Sequence, residues 1–435
     1  MKKILIAVLA FISLGSTAQE QWNLSKCINH AYENNIQLKQ QELNVKYAKN
    51  KNLQSKLDIL PSVNVEASHI FNFNRSDNSS GVYNSGNNQN TNFQLNSGVV
   101  LFSGFKKLNT LKKSKLEVQS SEKAVEKNKS DLAINIAGIY LQVLYNIEML
   151  NIAKEQLIIS KEQHVKTSKL VEVGKLADVE LLKQKSVVSQ DELNLVEAQN
   201  NLDLSYINLY QVLDVKQEGA FTIVIPEGLI VDANRSLQTS SDYYSKALEI
   251  RPEIAKSEID IKSSEKDVKI AKGSMIPSLS MGAGWSSGYY DNASDGFSTQ
   301  LEDNARKYVS LRLSIPIFNG LQANTSVRNS KLQLENARLE KENTENILRK
   351  EIQQVYANAK ASMKKYYSAK IASEYGKESF NYSQKKYNAG LIDIVSYKEM
   401  KKEYVNSLSK FVQAKYDYVF RTKILDYYIG LPMNL

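Results

Sequence analysis

Val173-Gly174-Lys175-Leu176 and Ala389-Gly390-Leu391-Ile392 are two short stretches that interrupt the longest helical patterns of the chain. In each stretch a glycine follows one helical run and precedes another, and neither run contains a proline. A glycine just beyond a helix end readily takes the left-handed conformation that reverses the chain. Each stretch is therefore predicted to be the turn between two antiparallel helices.

The two turn glycines lie 216 positions apart (390 − 174), and the same offset recurs along the chain. Pro61-Ser62-Val63 matches Pro277-Ser278-Leu279, and Phe102-Ser103-Gly104 matches Phe318-Asn319-Gly320. General similarity between helices does not bring prolines and turn glycines into register, so we predict a tandem duplication. Its parts are a first unit over residues 19–225, a mid-height segment over residues 214–240 and a second unit over residues 241–435.

The N-terminus has the pattern of a secretory signal peptide. A basic start precedes an apolar run over residues 4–14, and small residues follow up to Ala18. This run is too short to span a membrane as a helix. Residues 1–18 are therefore expected to be removed from an exported protein, whose single cysteine, Cys27, cannot form a disulfide within the chain.

Two segments in each unit alternate apolar and polar residues, which is the pattern of β-strands. In the first unit they cover residues 63–73 and 93–101, separated by an Asn/Ser/Gly-rich stretch over residues 74–91 that is predicted to be an exposed loop. In the second unit they cover residues 279–285 and 309–317. Strands of about ten residues with one apolar face either cross a bilayer as tilted strands or form soluble hairpins on a helix, and the alternation alone does not separate the two.

The remaining sequence is predicted to be helical. Apolar residues between Leu132 and Leu157 step by three, four or seven, which is the seam of a coiled coil. The helix over residues 105–173 would be about 100 Å long, and two half-length helices stacked end to end would cover it. The predicted helices span residues 22–60, 105–173 and 176–213 in the first unit and residues 241–276, 321–389 and 391–429 in the second, and the hairpins occupy residues 62–103 and 278–318.

Charge and motif content exclude several classes of function. The net charge is +9, but the lysines are spread along helices and interleaved with glutamates, which indicates solvated helix faces and no nucleic-acid surface. The three histidines, at positions 30, 69 and 164, are too scattered for a metal site. The sequence lacks a phosphate-binding Gly-Lys-Ser/Thr motif and a Gly-x-Ser-x-Gly elbow. We therefore predict that the protein is not an enzyme and uses no cofactor.

Taken together, these parts resemble the TolC-like outer membrane efflux proteins, the outer membrane factors of tripartite efflux and type I secretion systems. The resemblance rests on the paired units, the Pro-Ser strand entries, the Phe-x-Gly exits, the start Trp22-Asn23-Leu24-Ser25-Lys26-Cys27-Ile28 and the tip Tyr387-Asn388-Ala389-Gly390-Leu391. It implies an α+β membrane protein in which four transmembrane β-strands per chain complete a twelve-stranded trimeric β-barrel. A long antiparallel α-helical tunnel would continue the barrel into the periplasm.

The resemblance also implies partners. The chain would form a homotrimer in outer membrane lipid, with its helical part in the periplasm. It would meet a periplasmic adaptor (membrane fusion) protein and, through it, an inner-membrane transporter. The adaptor-facing tips would consist of Val173, Gly174, Leu176, Ala389, Gly390 and Leu391, although both glycines are needed as turn residues in either case.

The tunnel aperture is expected at Glu180, Ser396 and Glu399. Members of the family carry an arginine two positions after the second tip glycine and an acidic residue six positions after it. Ile392 and Ser396 stand at those positions here. A ring of Glu399 carboxylates would still favour cations, but the interactions that close the aperture stay open at this point.

The expected function is therefore an outer-membrane exit duct that carries small molecules or secreted protein from an adaptor and an inner-membrane transporter to the cell exterior. One alternative is a coiled-coil structural or adhesive surface protein with a β-barrel anchor, which would have no use for a second turn in the periplasm. Another is a soluble periplasmic coiled-coil protein. The sequence leaves the substrate and the class of transporter open.

Overall fold

The computed structural model of the chain describes residues 20–77, 83–216, 221–226 and 237–435. The predicted signal peptide and much of the predicted segment 214–240 lie outside these residues. Two compact units are present, and each draws on both halves of the chain. We call them the helical unit (Met1–Glu42, Ala124–Ile254 and Thr344–Leu435) and the strand unit (Leu43–Lys123 and Ala255–Asn343).

The helices come in short and very long forms. The long helices α3 (Lys106–Glu172) and α8 (Gln322–Asn388) have 67 residues each, which corresponds to about 100 Å. Their return helices are α4 (Asp178–Leu213) and α9 (Ile394–Tyr428). The short helices are α1 (Leu24–Asn34), α2 (Ile36–Leu57), α5 (Ser240–Ile250), α6 (Pro252–Gly273) and α7 (Phe297–Asp303).

Each predicted leading helix is in fact two helices. The predicted helix 22–60 breaks at Asn35, whose side chain accepts a hydrogen bond from the amide of Leu38 at 3.1 Å and so starts α2. The predicted helix 241–276 breaks at Arg251, which has an extended backbone (φ −71°, ψ 127°). Pro252 is the cause, because a proline disfavours the helical conformation of the residue before it.

The core of the helical unit is apolar and centred on the middle of α3. Ile136, Tyr140, Val143 and Leu144 are buried there against side chains of α1 and α4. The Tyr140 hydroxyl donates to the carbonyl of Val224 at 2.7 Å. Among the described residues, α3 is the one helix that is long and apolar enough to cross a membrane, and 44% of its most apolar stretch is buried inside the structure.

Two short strands lie beside this core. β1 (Glu20–Trp22) pairs in parallel with β4 (Phe221–Ile223), which falls within the predicted mid-height segment 214–240. The rings of Trp22 and Phe221 stack at 4.1 Å. The pairing fixes the start of α1 to the end of the first half of the chain.

The strand unit contains an antiparallel sheet in the order β2-β3-β5-β6. Its strands are β2 (Ser62–Asp77), β3 (Tyr83–Ser103), β5 (Ser278–Tyr290) and β6 (Arg306–Ser314). β2 and β6 are the two edges, and neither edge pairs with another strand in the described part of the chain.

The first hairpin is longer than the sequence predicts. Residues 74–91 were expected to form a loop, but β2 continues to Asp77 and β3 begins at Tyr83. The backbone ladder runs from Ser62 opposite Gly98 to Asp77 opposite Tyr83. An amide pair, Asn72 to Asn88 at 2.8 Å, bridges the two strands. Cross-strand pairing here outweighs the turn preference of asparagine.

The alternating apolar residues of the edge strands form an exposed face. Val65 and Phe73 of β2 are 77% and 79% exposed, and Val309 and Leu311 of β6 are 69% and 68% exposed. The register places Leu311 opposite Met281 and Val65 opposite Leu95, so apolar side chains share one face of the whole sheet. The opposite face carries polar residues, among them Asn64, Glu66, Asn92, Gln94, Asn96, Ser280, Ser310 and Arg312.

Candidate functional site

The two predicted turns have the same backbone geometry. Gly174 and Gly390 both have positive φ, +71° and +73°. In the first turn the amide of Lys175 donates to the carbonyl of Leu170 at 2.8 Å, and in the second the amide of Leu391 donates to the carbonyl of Lys386 at 2.9 Å. The glycine amides donate in turn to Val171 and Tyr387. This is the Schellman arrangement, in which glycine ends a helix in the left-handed conformation.

The predicted contact residues lie on the outside of these turns. Val173, Leu176, Ala389 and Leu391 are exposed, Leu391 to 73%. A Cβ added to either turn glycine would meet no atom within 4 Å. Each turn therefore presents a small apolar surface that another backbone can approach closely.

The predicted aperture residues occupy three different environments. Glu180 lies in the first turn of α4 and accepts a hydrogen bond from Lys183 at 2.8 Å. The amide of Ser396 donates to the carboxylate of Asp393 at 2.8 Å, which caps α9. Glu399 is exposed on α9 and lines a groove of about 1230 Å³ between α4 and α9.

Charged residues of the two helical hairpins, α3–α4 and α8–α9, interact beside the turns. Lys183 of α4 donates a hydrogen bond to Glu180, and this bond, together with the field of Asp393, raises the pKa of the lysine. The amide of Ser396 lowers the pKa of the Asp393 carboxyl, with a smaller contribution from Lys183. Lys183 and Asp393 were not among the residues predicted from the sequence, although an aspartate just before a helical run is a recognisable capping signal.

Aromatic side chains connect the second turn with α9 and α3. The rings of Tyr387 and Tyr397 stack at 4.8 Å across the second turn. A hydrogen bond connects Tyr387 with Thr167 of α3, and burial raises the pKa of the tyrosine. Tyr397 is itself buried and contacts the ring of Phe380 at 5.8 Å. The second turn is thereby attached to the helix that leads into the first.

A buried ion pair lies further along α9. The ammonium of Lys401 is 2.5 Å from the carboxylate of Asp191 in α4 and 3.3 Å from the carbonyl of Gln156 in α3. The hydroxyl of Ser160 donates to the same carboxylate oxygen. Burial lowers the pKa of Lys401, and Asp191 opposes that change. No sequence signal identified this pair, because a lysine and an aspartate on polar helices resemble the solvated charges around them.

Comparison with known proteins assigns the family. The model of the outer membrane efflux protein family matches the chain twice, over residues 27–214 and 243–430. The chain belongs to the outer membrane efflux proteins. The two matched segments start 216 positions apart (243 − 27), which is the offset found in the sequence. The predicted TolC-like resemblance and the outer membrane location, with the helical part in the periplasm, are thereby confirmed.

Individual relatives are distant in sequence. Outer membrane protein TolC of Vibrio cholerae is 22% identical over an alignment that covers 99% of this chain and 96% of the relative. Toxin and drug export protein A of Aggregatibacter actinomycetemcomitans is 22% identical over 68% of this chain. The matched region spans 63% of that relative and 38% of the pyoverdine export outer membrane protein OpmQ of Pseudomonas aeruginosa, less than two thirds of either.

Solved structures show the same fold. A structure of CusC has a TM-score of 0.79 at 17% identity and covers 95% of this chain and 93% of its own. VceC of Vibrio cholerae has a TM-score of 0.75 at 14% identity and covers 94% of this chain and 97% of its own. This outer membrane efflux protein therefore has the TolC-like channel fold, in a family that consists of channels and not of enzymes.

Proposed function

We propose that this outer membrane efflux protein is the exit duct of an export system, and that three copies close one twelve-stranded barrel. The exposed apolar face of the strand unit carries the proposal, because apolar side chains exposed along one face of a sheet suit contact with lipid. Export of small molecules or of protein would then need no chemistry from this chain. The energy would come from an inner-membrane transporter.

The two free sheet edges support the closure of a barrel. In hydrocarbon each unpaired backbone group costs several kcal/mol, so an open edge is not tolerated there. β6 of one copy pairing with β2 of the next removes both edges. Four strands per copy give twelve strands from three copies, an even number within the range of outer-membrane barrels.

The exposed turns support a periplasmic partner. Val173, Leu176 and Leu391 are exposed apolar residues beside two glycines, and a Cβ added to either glycine would face open space. A helical hairpin of an adaptor protein fits such a surface, because small residues let two backbones come close. The aperture would lie next to the turns, at Glu180, Ser396 and Glu399, which follow the turn glycines in the sequence.

The decisive experiment is photo-crosslinking in intact cells. A photoreactive residue replaces Leu391, and the captured protein is identified by mass spectrometry. The matched control replaces Leu332, which is similarly exposed (69%) but lies near the start of α8. Capture of a periplasmic adaptor from position 391 but not from position 332 supports the proposal.

Two results contradict it. Labelling of position 391 by a reagent that stays outside the cell would place the turns at the exterior and favour the adhesive alternative. Recovery of the protein in the soluble periplasmic fraction without detergent would favour a soluble coiled-coil protein.

Deletion of the chain should sensitise cells to a toxic small molecule or stop the export of a protein.

A further inference from the structure

The buried pair of Asp191 and Lys401 joins the two halves of the chain within the helical unit. The side chains of these residues are 11% and 7% exposed. Glu148 and Lys415 also join the two halves, but their side chains are 30% and 22% exposed. The carboxylate of Asp191 is bonded to α3 through Ser160 and to α9 through Lys401. Three helices therefore meet at one carboxylate.

The surroundings of this pair are polar although they are buried. Gln184 is fully buried and donates to the carbonyl of Ser160 at 3.2 Å. The Oε1 atoms of Gln156 and Gln184 and the hydroxyl of Tyr397 are buried without a hydrogen-bond partner among the described residues. In contrast, the earlier part of α3 packs through Ile136 and its apolar neighbours. α3 thus buries mainly apolar side chains around Ile136 and several polar ones between Gln156 and Thr167.

The two kinds of interface differ in what it takes to separate them. Buried ion pairs contribute little net stability, since the loss of hydration offsets the attraction. Buried polar atoms without partners are unfavourable and would gain hydrogen bonds from water. Little free energy is therefore lost when water enters the polar interface. Separating the helices of the apolar core would instead expose hydrophobic surface to water.

The position of Lys401 connects this interface to the aperture. Lys401 follows Glu399 by two residues and Ser396 by five in the same helix. Tyr397, one turn earlier, lies on the same buried side of α9. Ile392, nearer the turn, has no charge with which to form an ion pair.

We propose that Asp191 and Lys401 are positioning residues for the aperture, which hold the first turns of α9 in the closed arrangement and separate when the duct opens. The inference rests on the proposed exit-duct function. It assigns the closing interaction to a buried pair in the polar part of the helical unit.

The test measures the conductance of the purified protein in planar lipid bilayers, with thermal stability measured in parallel. Asp191→Asn leaves Lys401 without its counter-charge, and the open fraction should rise about tenfold or more. The double variant Asp191→Leu/Lys401→Met replaces the pair by apolar side chains of similar length. Opening it would expose apolar surface, so the open fraction should fall below that of the wild type while stability stays equal or rises.

The opposite signs separate positioning from a merely structural role, in which conductance would follow stability in both variants. Lys401→Arg keeps the ion pair with Asp191, so this variant should have the conductance of the wild type. Glu192→Gln is the matched control on the same hairpin, because the Lys161–Glu192 pair is 55% and 51% exposed and its loss should change nothing.

Unchanged conductance in Asp191→Asn overturns the inference, and so does a double variant that is stable and opens as often as the wild type. If Asp191→Asn fails to assemble, the double variant alone decides. A wild-type protein that forms no channel refutes the proposed function and the inference together, whereas a conducting wild type with unaffected variants refutes the inference alone.

Discussion

Gly104 and Gly320 occupy equivalent positions in the two halves of the chain, and the structure predicts different consequences of replacing them by alanine. Both have positive φ, +61° and +60°, and each precedes a non-glycine residue with a φ of 64°, Phe105 and Leu321. A Cβ on Gly320 would meet no atom within 4 Å. A Cβ on Gly104 would lie 2.4 Å from the carbonyl oxygen of Gly273.

The expected magnitudes follow from these contacts. The left-handed conformation costs an alanine roughly 1–2 kcal/mol at either position. Overpacking adds roughly 1–3 kcal/mol at Gly104 only, since the atom in the way is backbone. Gly320→Ala should therefore cost about 1–2 kcal/mol and Gly104→Ala about 2–5 kcal/mol. Gly273→Ala isolates the crowding, because Gly273 has no positive φ and its Cβ would lie 2.6 Å from the Gly104 carbonyl oxygen.

The assay is the apparent unfolding midpoint of the detergent-purified protein, followed by the loss of β-sheet circular dichroism. A domain of 150–250 residues loses about 2–4 °C per kcal/mol. The midpoints should fall in the order wild type, Gly320→Ala, Gly104→Ala. Equal midpoints for the two alanine variants, or a lower midpoint for Gly320→Ala, would refute the reasoning.

Three further predictions concern the core of the helical unit. Ile136→Ala should destabilise the protein by about 2–5 kcal/mol, because it leaves a cavity at a fully buried site. Ile158→Ala, at an exposed site of the same helix, should change stability by less than about 0.5 kcal/mol. Denaturant titration compares the two variants. Tyr140→Phe should cost about 1–3 kcal/mol, because the Val224 carbonyl loses its donor, and Tyr375→Phe at an exposed position serves as its control; equal effects would contradict the role of that hydrogen bond. Burial raises the pKa of the Cys27 thiol from 9.0 to about 12. The thiol therefore ionises at a lower pH in the unfolded chain than in the folded one, and the free energy of unfolding should decline as the pH rises from 9.0 towards 12. The same decline in a Cys27→Ala variant would argue against this cause.

The turns and the strand faces could be predicted from sequence because their signals are local. A glycine between two helical runs and an alternation of apolar residues each report on the backbone at the same position. The break at Arg251 was also signalled locally, by Pro252, but a continuous helix was predicted over it. At residues 74–91 the asparagines favoured a loop, and only the pairing between β2 and β3 makes residues 74–77 and 83–91 parts of strands.

The Asp191–Lys401 pair could not be predicted in the same way. Its partners are 210 residues apart (401 − 191), and each lies on a helix whose charged residues are mostly solvated. Which lysine becomes buried depends on how α9 packs against α3 and α4. The duplication relates the two helical hairpins to each other, but Ser407 stands at the position equivalent to Asp191 (191 + 216), so the repeat carries no information about this ion pair.

Subunit counting tests the central claim most directly. The protein is extracted from the outer membrane with detergent, and its mass is measured by native mass spectrometry. A complex of three copies of the mature chain is the predicted result, since twelve strands then leave no open edge. A monomer, or a complex whose copy number is not three, would contradict the proposed barrel and with it the account of this protein as a trimeric exit duct.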